Sequence, residues 1–141
     1  MVLVDTSVWI AFFRDGSSPA AKKLDLLLEE GEVCFCGLIE AELLPGLRRE
    51  DRARVRTLMA GLPCVEIATD IWADVAEIQG HSLARGLGPF SIPDLILAAV
   101  ALRHKLPLFS LDRHFQSIAR VTGLQLWEKG SESGGRRGAH G

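Results

Sequence analysis

Residues 91–112, SIPDLILAAVALRHKLPLFSLD, decide the fold. Residues 95–102 are apolar on every face, which predicts a helix that is buried on all sides. Ser91 stands three residues before Asp94, a spacing typical of a helix N-terminus. The short apolar run 107–109 follows and predicts a buried strand. A buried helix that leads into a buried strand is typical of α/β proteins.

The rest of the chain alternates in the same way. Short apolar runs predict further strands at 2–4, 32–36, 64–67 and 124–127, which makes 107–109 the fourth of five. Helical patterns lie between them, and we expect Thr6 or Ser7, Ser18 and Thr69 to cap three of the helices. This alternation predicts an α/β fold with a mainly parallel sheet and helices on both faces.

Length and composition limit the class of protein. The chain has 141 residues, 48% of them hydrophobic, which fits one globular domain. We place that domain at 1–129 and predict a disordered tail at 130–141, where Gly, Ser and Arg dominate. The net charge of −2 excludes a protein that binds nucleic acid only by being basic. No apolar run is long enough for a membrane span, and no signal peptide is apparent.

The cysteines indicate the compartment. Cys34, Cys36 and Cys64 are odd in number and form no Cys-x-x-Cys pair, so we expect reduced thiols in a cytoplasmic protein. The four histidines show no ligand spacing with the cysteines, which argues against a zinc site.

Acidic residues stand where the strands of the predicted sheet end. Asp5 ends the first strand, Asp112 follows the fourth, and Asp94 lies in the first turn of the buried helix. Each of the three also suits a helix cap or a turn. A further acid is expected on the helix after the second strand, where periodicity does not decide between Glu40 and Glu42. Ligands of open parallel sheets bind beyond these strand ends.

Such a cluster of carboxylates requires a cation, because the charges would otherwise repel. Oxygen ligands without His or Cys favour Mg²⁺ or Mn²⁺, and such ions suit phosphodiester hydrolysis by an activated water. The chain holds neither a Gly-x-Ser-x-Gly nor a P-loop motif. An aspartyl phosphatase would need a second Asp two residues after Asp5, where Ser7 stands. A receiver domain would need an acidic neighbour for Asp5, which the sequence lacks. The sequence therefore argues against both classes.

Four motifs carry a resemblance to a known family. The segments Val-Asp5-Thr-Ser, Glu42-Leu-Leu-Pro-Gly, Ile-Pro-Asp94-Leu-Ile and Ser110-Leu-Asp112-Arg-His-Phe resemble the PIN-domain ribonucleases, and among them the VapC-like toxins of type II toxin–antitoxin pairs. The resemblance covers residues 1–127. It implies an α/β sandwich with a five-stranded parallel sheet and Mg²⁺-dependent endonucleolytic cleavage of RNA.

The resemblance also implies roles for individual residues. Asp5, Glu42, Asp94 and Asp112 match the catalytic, metal-binding acids of the family, and this match selects Glu42 over Glu40. Thr6 and Ser110 stand where they can orient those acids or a metal-bound water.

The resemblance implies partners as well. Relatives form homodimers, and a cognate VapB-like antitoxin covers the active-site groove. Apolar residues of the first two helices can line that groove or belong to the core: Trp9, Phe12, Phe13, Leu24 and Leu27. RNA phosphates are expected to contact Arg48, Arg49, Arg52 and Arg113, although a run of charges also suits a solvated helix face. The alternative to a ribonuclease is an inactive PIN-like module that binds RNA or protein.

Overall fold

The structure is a computed structural model that describes residues 1–128. The predicted tail at 130–141 lies outside these residues. Four strands and seven helices alternate along the described part of the chain, in the order β1 (Val2–Val4), α1 (Thr6–Arg14), α2 (Pro19–Glu29), β2 (Val33–Cys36), α3 (Gly37–Leu43), α4 (Arg49–Ala60), β3 (Cys64–Val65), α5 (Ile71–Ala84), α6 (Ile92–Arg103), β4 (Leu108–Phe109) and α7 (His114–Val121). A 3₁₀ turn, Leu44–Gly46, joins α3 to the loop before α4.

The strands form one parallel sheet in the order β3-β2-β1-β4. Along the chain, β2 and β3 are added in turn on one side of β1, and β4 is then added on the other side of β1. The direction of winding therefore reverses between β1 and β4. In parallel sheets, a ligand crevice lies at the carboxyl ends of the strands at such a reversal.

The predicted α/β class with a parallel sheet is confirmed, but the predicted fifth strand is wrong. The segment 124–127 lies beside β4 and makes a single parallel bridge, Leu108 to Leu126. Two backbone hydrogen bonds hold it there, from the Leu108 N–H to Gln125 and from the Trp127 N–H to Leu108. One bridge is not a ladder, so this segment flanks β4 without extending the sheet as a fifth strand.

Two of the predicted helix caps are present and two are not. Ser18 and Ser91 accept hydrogen bonds from the backbone N–H groups of Ala21 and Asp94, as their positions before a Pro-containing first turn predict. Thr69 caps nothing, because α5 starts at Ile71 with Asp70 in the N-cap position. Neither Thr6 nor Ser7 caps α1, whose N-cap position is Asp5.

The core lies on both faces of the sheet. All seven residues of β1 and β2 are buried, as expected for central parallel strands covered by helices. Helix α6 buries Leu95 and residues 97–101, which explains its apolar composition. Trp9, Leu24 and Leu27 are also buried in this core, whereas Phe12 and Phe13 are only partly buried against it. No helix in residues 1–128 has the length and apolar character needed to cross a bilayer.

Candidate functional site

Asp5 lies at the reversal point, directly after β1. Its backbone N–H donates to the carbonyl of Phe109 in β4, so the sheet itself fixes its position. The hydroxyls of Ser110 and Ser7 donate to Asp5 Oδ2 at 2.7 and 2.8 Å. Burial raises the pKa of Asp5, and the negative charge of Asp94 raises it further. The hydrogen bonds from the two serine hydroxyls lower this pKa, but by less than burial raises it. A buried carboxylate held in this way is costly unless a cation lies next to it.

Glu42 approaches the same edge from helix α3. Its Oε1 accepts a hydrogen bond of 3.0 Å from the Thr6 hydroxyl, immediately beside Asp5. Desolvation raises the pKa of Glu42, and the charges of Asp5 and Asp94 raise it further. The side chain is thus close enough to both aspartates to experience their charge. Glu40, the other candidate on this helix, is exposed as Glu42 is, but within residues 1–128 its side chain makes no hydrogen bond to this edge.

Asp94 reaches the site from the first turn of α6. The Ser91 cap fixes this turn, and Pro93 stands directly before Asp94 inside the helix. The loop that leads to it is held by Gln79 of α5, whose side-chain amide makes two hydrogen bonds to the backbone of Phe90. The position of Asp94 is therefore determined by packing between helices as well as by its own cap.

Asp112 lies beyond the end of β4. Its backbone N–H donates to the Ser110 hydroxyl at 3.0 Å, so Ser110 contacts both Asp5 and Asp112. One oxygen of Asp112 accepts the backbone N–H of His114. The His114 imidazole lies 3.1 Å from Asp94 and 3.4 Å from Asp112, measured from Nδ1 to the nearer carboxylate oxygen. Asp94, Asp112 and His114 thus form a group with the spacing needed to hold a metal ion.

The structure therefore brings the four predicted acids to one edge of the sheet. Within residues 1–128, neither Asp5 nor Glu42 forms an ion pair with a basic side chain. In the same residues, the imidazole of His114 is the only basic group within ion-pair distance of Asp94 and Asp112. Oxygen donors with unbalanced negative charge are the ligands that hard divalent cations prefer. The donor set fits such a cation.

Three residues at this edge did not emerge from the sequence. Ser7 donates to Asp5 and accepts the N–H of Leu111, a role that its position two residues after Asp5 can suggest only when β4 is known to be adjacent. His114 belongs to the group with metal-binding spacing described above; it stands in the motif that begins at Ser110, two residues after Asp112, but neither fact assigned it a role. Lys23 of α2 lines a cleft of about 160 Å³ together with Ser110 and Asp112.

The predicted RNA-binding arginines lie in two places: Arg48, Arg49 and Arg52 at the start of α4, and Arg113 after Asp112. Arg48 pairs with Asp51 at 3.1 Å, and Arg52 donates to the backbone of Leu47, so both guanidinium groups have partners near the start of α4. Arg49 is exposed on the first turn of that helix. Arg113 is exposed and directly follows Asp112, which makes it the arginine adjacent in sequence to the acidic edge.

Comparison with known proteins places this geometry in a family. The PIN domain family matches residues 2–121. Ribonuclease VapC11 of Mycobacterium tuberculosis is 35% identical over 130 residues, which cover 89% of this chain and 96% of the relative. Ribonuclease VapC21 of the same organism is 34% identical over 108 residues, covering 74% and 78%.

Solved structures show the same fold. VapBC2 from Rickettsia felis, bound to a DNA fragment from its promoter, superposes with a TM-score of 0.73 at 16% identity and covers 91% of this chain and 100% of that one. FitAcB from Neisseria gonorrhoeae superposes with a TM-score of 0.68 at 22% identity, covering 91% and 97%. Both the sequence match and the arrangement of the acidic edge lead to one conclusion: the chain belongs to the PIN domain family, among the VapC ribonucleases.

Proposed function

We propose that this chain is a Mg²⁺-dependent endoribonuclease and the toxin of a type II toxin–antitoxin pair. One observation carries the proposal: Asp5, Glu42 and Asp94 reach the ligand-binding edge of the sheet from three separate parts of the chain. Besides burial, the charge of Asp94 raises the pKa of Asp5, and the charges of Asp5 and Asp94 raise the pKa of Glu42. A solvent cation relieves that repulsion. The relatives that share the fold and much of the sequence are named ribonucleases.

The side chains of this edge have distinct tasks in the proposed reaction. Asp5, Glu42, Asp94 and Asp112 would hold Mg²⁺, for which Mn²⁺ can substitute. The bound ion supplies Lewis acidity for the phosphodiester and lowers the pKa of a water. Ser110 and Ser7 keep Asp5 in one orientation through two hydroxyl donors, and Thr6 does the same for Glu42. None of these residues has to act as a covalent nucleophile.

RNA would lie across the exposed side of this edge. Arg113 next to Asp112 and Lys23 in the adjoining cleft offer positive charge to its phosphates. Arg48, Arg49 and Arg52 remain predicted contacts further along the same strand of RNA. Arg48 and Arg52 must exchange their present partners, Asp51 and the Leu47 carbonyl, before they contact a phosphate.

A VapB-like antitoxin and a second copy of the chain are the proposed protein partners, and the cytoplasm is the proposed location. The solved relatives include VapBC complexes, which supports an antitoxin partner. Of the five apolar residues considered for the groove, Phe12 and Phe13 of α1 retain exposed surface for such a contact. The other three, Trp9, Leu24 and Leu27, belong to the core.

The test is incubation of the purified protein with total RNA and Mg²⁺, with the new RNA ends mapped by sequencing. We expect discrete cuts that EDTA abolishes, and Asp5→Asn should reduce the cleavage rate by at least about 100-fold, since it removes a charged ligand from the site. Binding of RNA without any new ends would instead favour the inactive PIN-like module. Growth arrest on expression, reversed by co-expression of the antitoxin, tests the toxin role separately.

A further inference from the structure

His114 adds a nitrogen donor to an edge that otherwise offers only oxygen. Its Nδ1 lies 3.1 Å from Asp94 Oδ2 and 3.4 Å from Asp112 Oδ1. Together the three residues offer one ligand atom each, all within 4.8 Å of one another. The imidazole is therefore directed at two of the four acids.

We propose that His114 coordinates a divalent transition-metal ion through Nδ1, at a site that it shares with Asp94 and Asp112. This inference rests on the proposed function, because Asp94 is also a ligand in the acidic set, and it extends that set from oxygen donors to a mixed nitrogen and oxygen site. The ion is identified by its chemistry as a first-row divalent cation, and Mn²⁺ is the probe.

The distances between the donor atoms suit this role. Two neighbouring ligands of an octahedral ion, each at about 2.1 Å from the metal, lie about 3.0 Å from each other. The separations of Nδ1 from the two carboxylate oxygens, 3.1 and 3.4 Å, are close to this value. A direct hydrogen bond from Nδ1–H to Asp94 gives the same 3.1 Å distance, and the experiment below separates the two states.

The surroundings of His114 hold the imidazole in place and leave it open to an ion. His114 is the first residue of α7, and its backbone N–H donates to Asp112 Oδ1 at 2.9 Å. The Phe90 ring lies against the imidazole with a centroid distance of 6.0 Å. The side chain is nevertheless 61% exposed, so the imidazole is accessible from solution without any opening of the core.

A nitrogen ligand changes which cation the site prefers. Mg²⁺ retains oxygen ligands and several waters, whereas first-row transition ions accept imidazole beside carboxylates. We therefore expect His114 to strengthen the binding of Mn²⁺ and to contribute little to the binding of Mg²⁺.

The experiment is pulsed electron paramagnetic resonance of the full chain loaded with less than one equivalent of Mn²⁺, without RNA. We expect electron spin echo modulation from a directly bound ¹⁴N in the native protein. His114→Asn keeps an amide oxygen near the position of Nδ1, so the variant should lose the nitrogen modulation. Its affinity for Mn²⁺ should fall by at least about 10-fold, while its affinity for Mg²⁺ should change by less than about 3-fold.

The matched control is His81→Gln, which removes an exposed imidazole from α5 and should leave the nitrogen signal intact. His114→Gln serves as a second variant, with melting curves to show that each protein is folded. Absence of nitrogen modulation in the native protein, or its persistence in both folded His114 variants, would overturn the inference. If the protein cleaves RNA but shows no nitrogen bound to Mn²⁺, the His114 site is refuted and the proposed ribonuclease function stands. If nitrogen is bound to Mn²⁺ but no RNA is cleaved, the His114 site stands and the proposed function is refuted.

Discussion

The carboxylates near the two ends of helix α6 differ in whether a basic side chain pairs with them. At the C-terminal end, Arg103 donates to Asp70, the N-cap residue of α5, at 2.6 Å and to Asp74 of α5 at 2.8 Å. At the N-terminal end, Asp94 faces Asp5 and Glu42, and within residues 1–128 no Lys or Arg pairs with any of the three. The two acids at the C-terminal end of α6 thus share one guanidinium, whereas the three at its N-terminal end have no Lys or Arg partner within residues 1–128.

The pKa values follow this difference. Hydrogen bonding to Arg103 lowers the pKa of Asp70, whereas burial and neighbouring negative charge raise the pKa of Asp5. The pair with Arg103 joins α5 to α6 and needs nothing from solution. The other end is electrostatically incomplete without a cation, which is what distinguishes a site for chemistry from a contact between helices.

The largest effect is expected from the same substitution made at both ends. Asp94→Asn should reduce RNA cleavage by at least about 100-fold, because it removes a charged ligand and changes the side-chain volume very little. Asp70→Asn is the matched control and should leave the cleavage rate within about 2-fold, since its carboxylate hydrogen-bonds to the Arg103 guanidinium, away from the acidic edge. The measurement is the initial rate of cleavage of one RNA. If both variants lose cleavage activity equally, the two ends of α6 do not differ in function.

A smaller effect is expected on stability. Because the folded-state pKa of Asp5 is raised, its contribution to stability is complete below the unfolded-state pKa, about 3.9, and is lost as the pH rises through the folded-state value. The metal-free Asp5→Asn protein should therefore melt above the native protein at pH 7, and the difference should shrink towards pH 4. Melting curves across this range are the measurement.

Added Mn²⁺ or Mg²⁺ should raise the Tm of the native protein above that of the Asp5→Asn protein. Saturation at about 100 times Kd stabilises a fold by about 2.7 kcal/mol, which raises Tm by roughly 5–10 °C in a domain of this size. The Asp5→Asn protein should show much less of this increase at equal Mn²⁺ or Mg²⁺ concentration. A native Tm that does not respond to either ion would contradict the incomplete electrostatics of this edge.

The smallest effect is expected at the paired end. Arg103→Met retains most of the aliphatic side chain and removes the guanidinium, and solvent screens what is lost, because Asp70 is 79% exposed. Tm should fall by less than about 4 °C, with RNA cleavage unchanged. A fall in cleavage without a fall in Tm would show that the two ends of α6 are coupled.

The fold was largely predictable because β1, β2 and α6 are continuous apolar runs, and such runs identify buried elements directly. The fifth strand was not, since its apolar residues are used for packing: Trp127 lies against Phe109 with ring centroids 4.7 Å apart. Burial of side chains produces the same sequence pattern whether or not the backbone forms a ladder.

At the site, the positions of the acids after strands were predictable, and their partners were not. Asp5 follows β1 and Asp112 follows β4, which alone indicated a shared edge. The choice of Glu42 over Glu40 came from family resemblance, and the structure adds the contact with Thr6 that periodicity does not supply. The contact of His114 with Asp94 depends on how α7 meets α6, a tertiary relation with no local signal.

The hydrogen bond between Ser110 and Asp5 joins residues 105 positions apart, and it has a consequence during translation. A ribosome releases Asp5 early, but the nascent chain lacks Ser110 and Asp112 until β4 has been made and inserted beside β1. No shorter nascent fragment contains the complete acidic edge. Any activity that needs all four acids can therefore begin only after most of the domain has emerged from the ribosome.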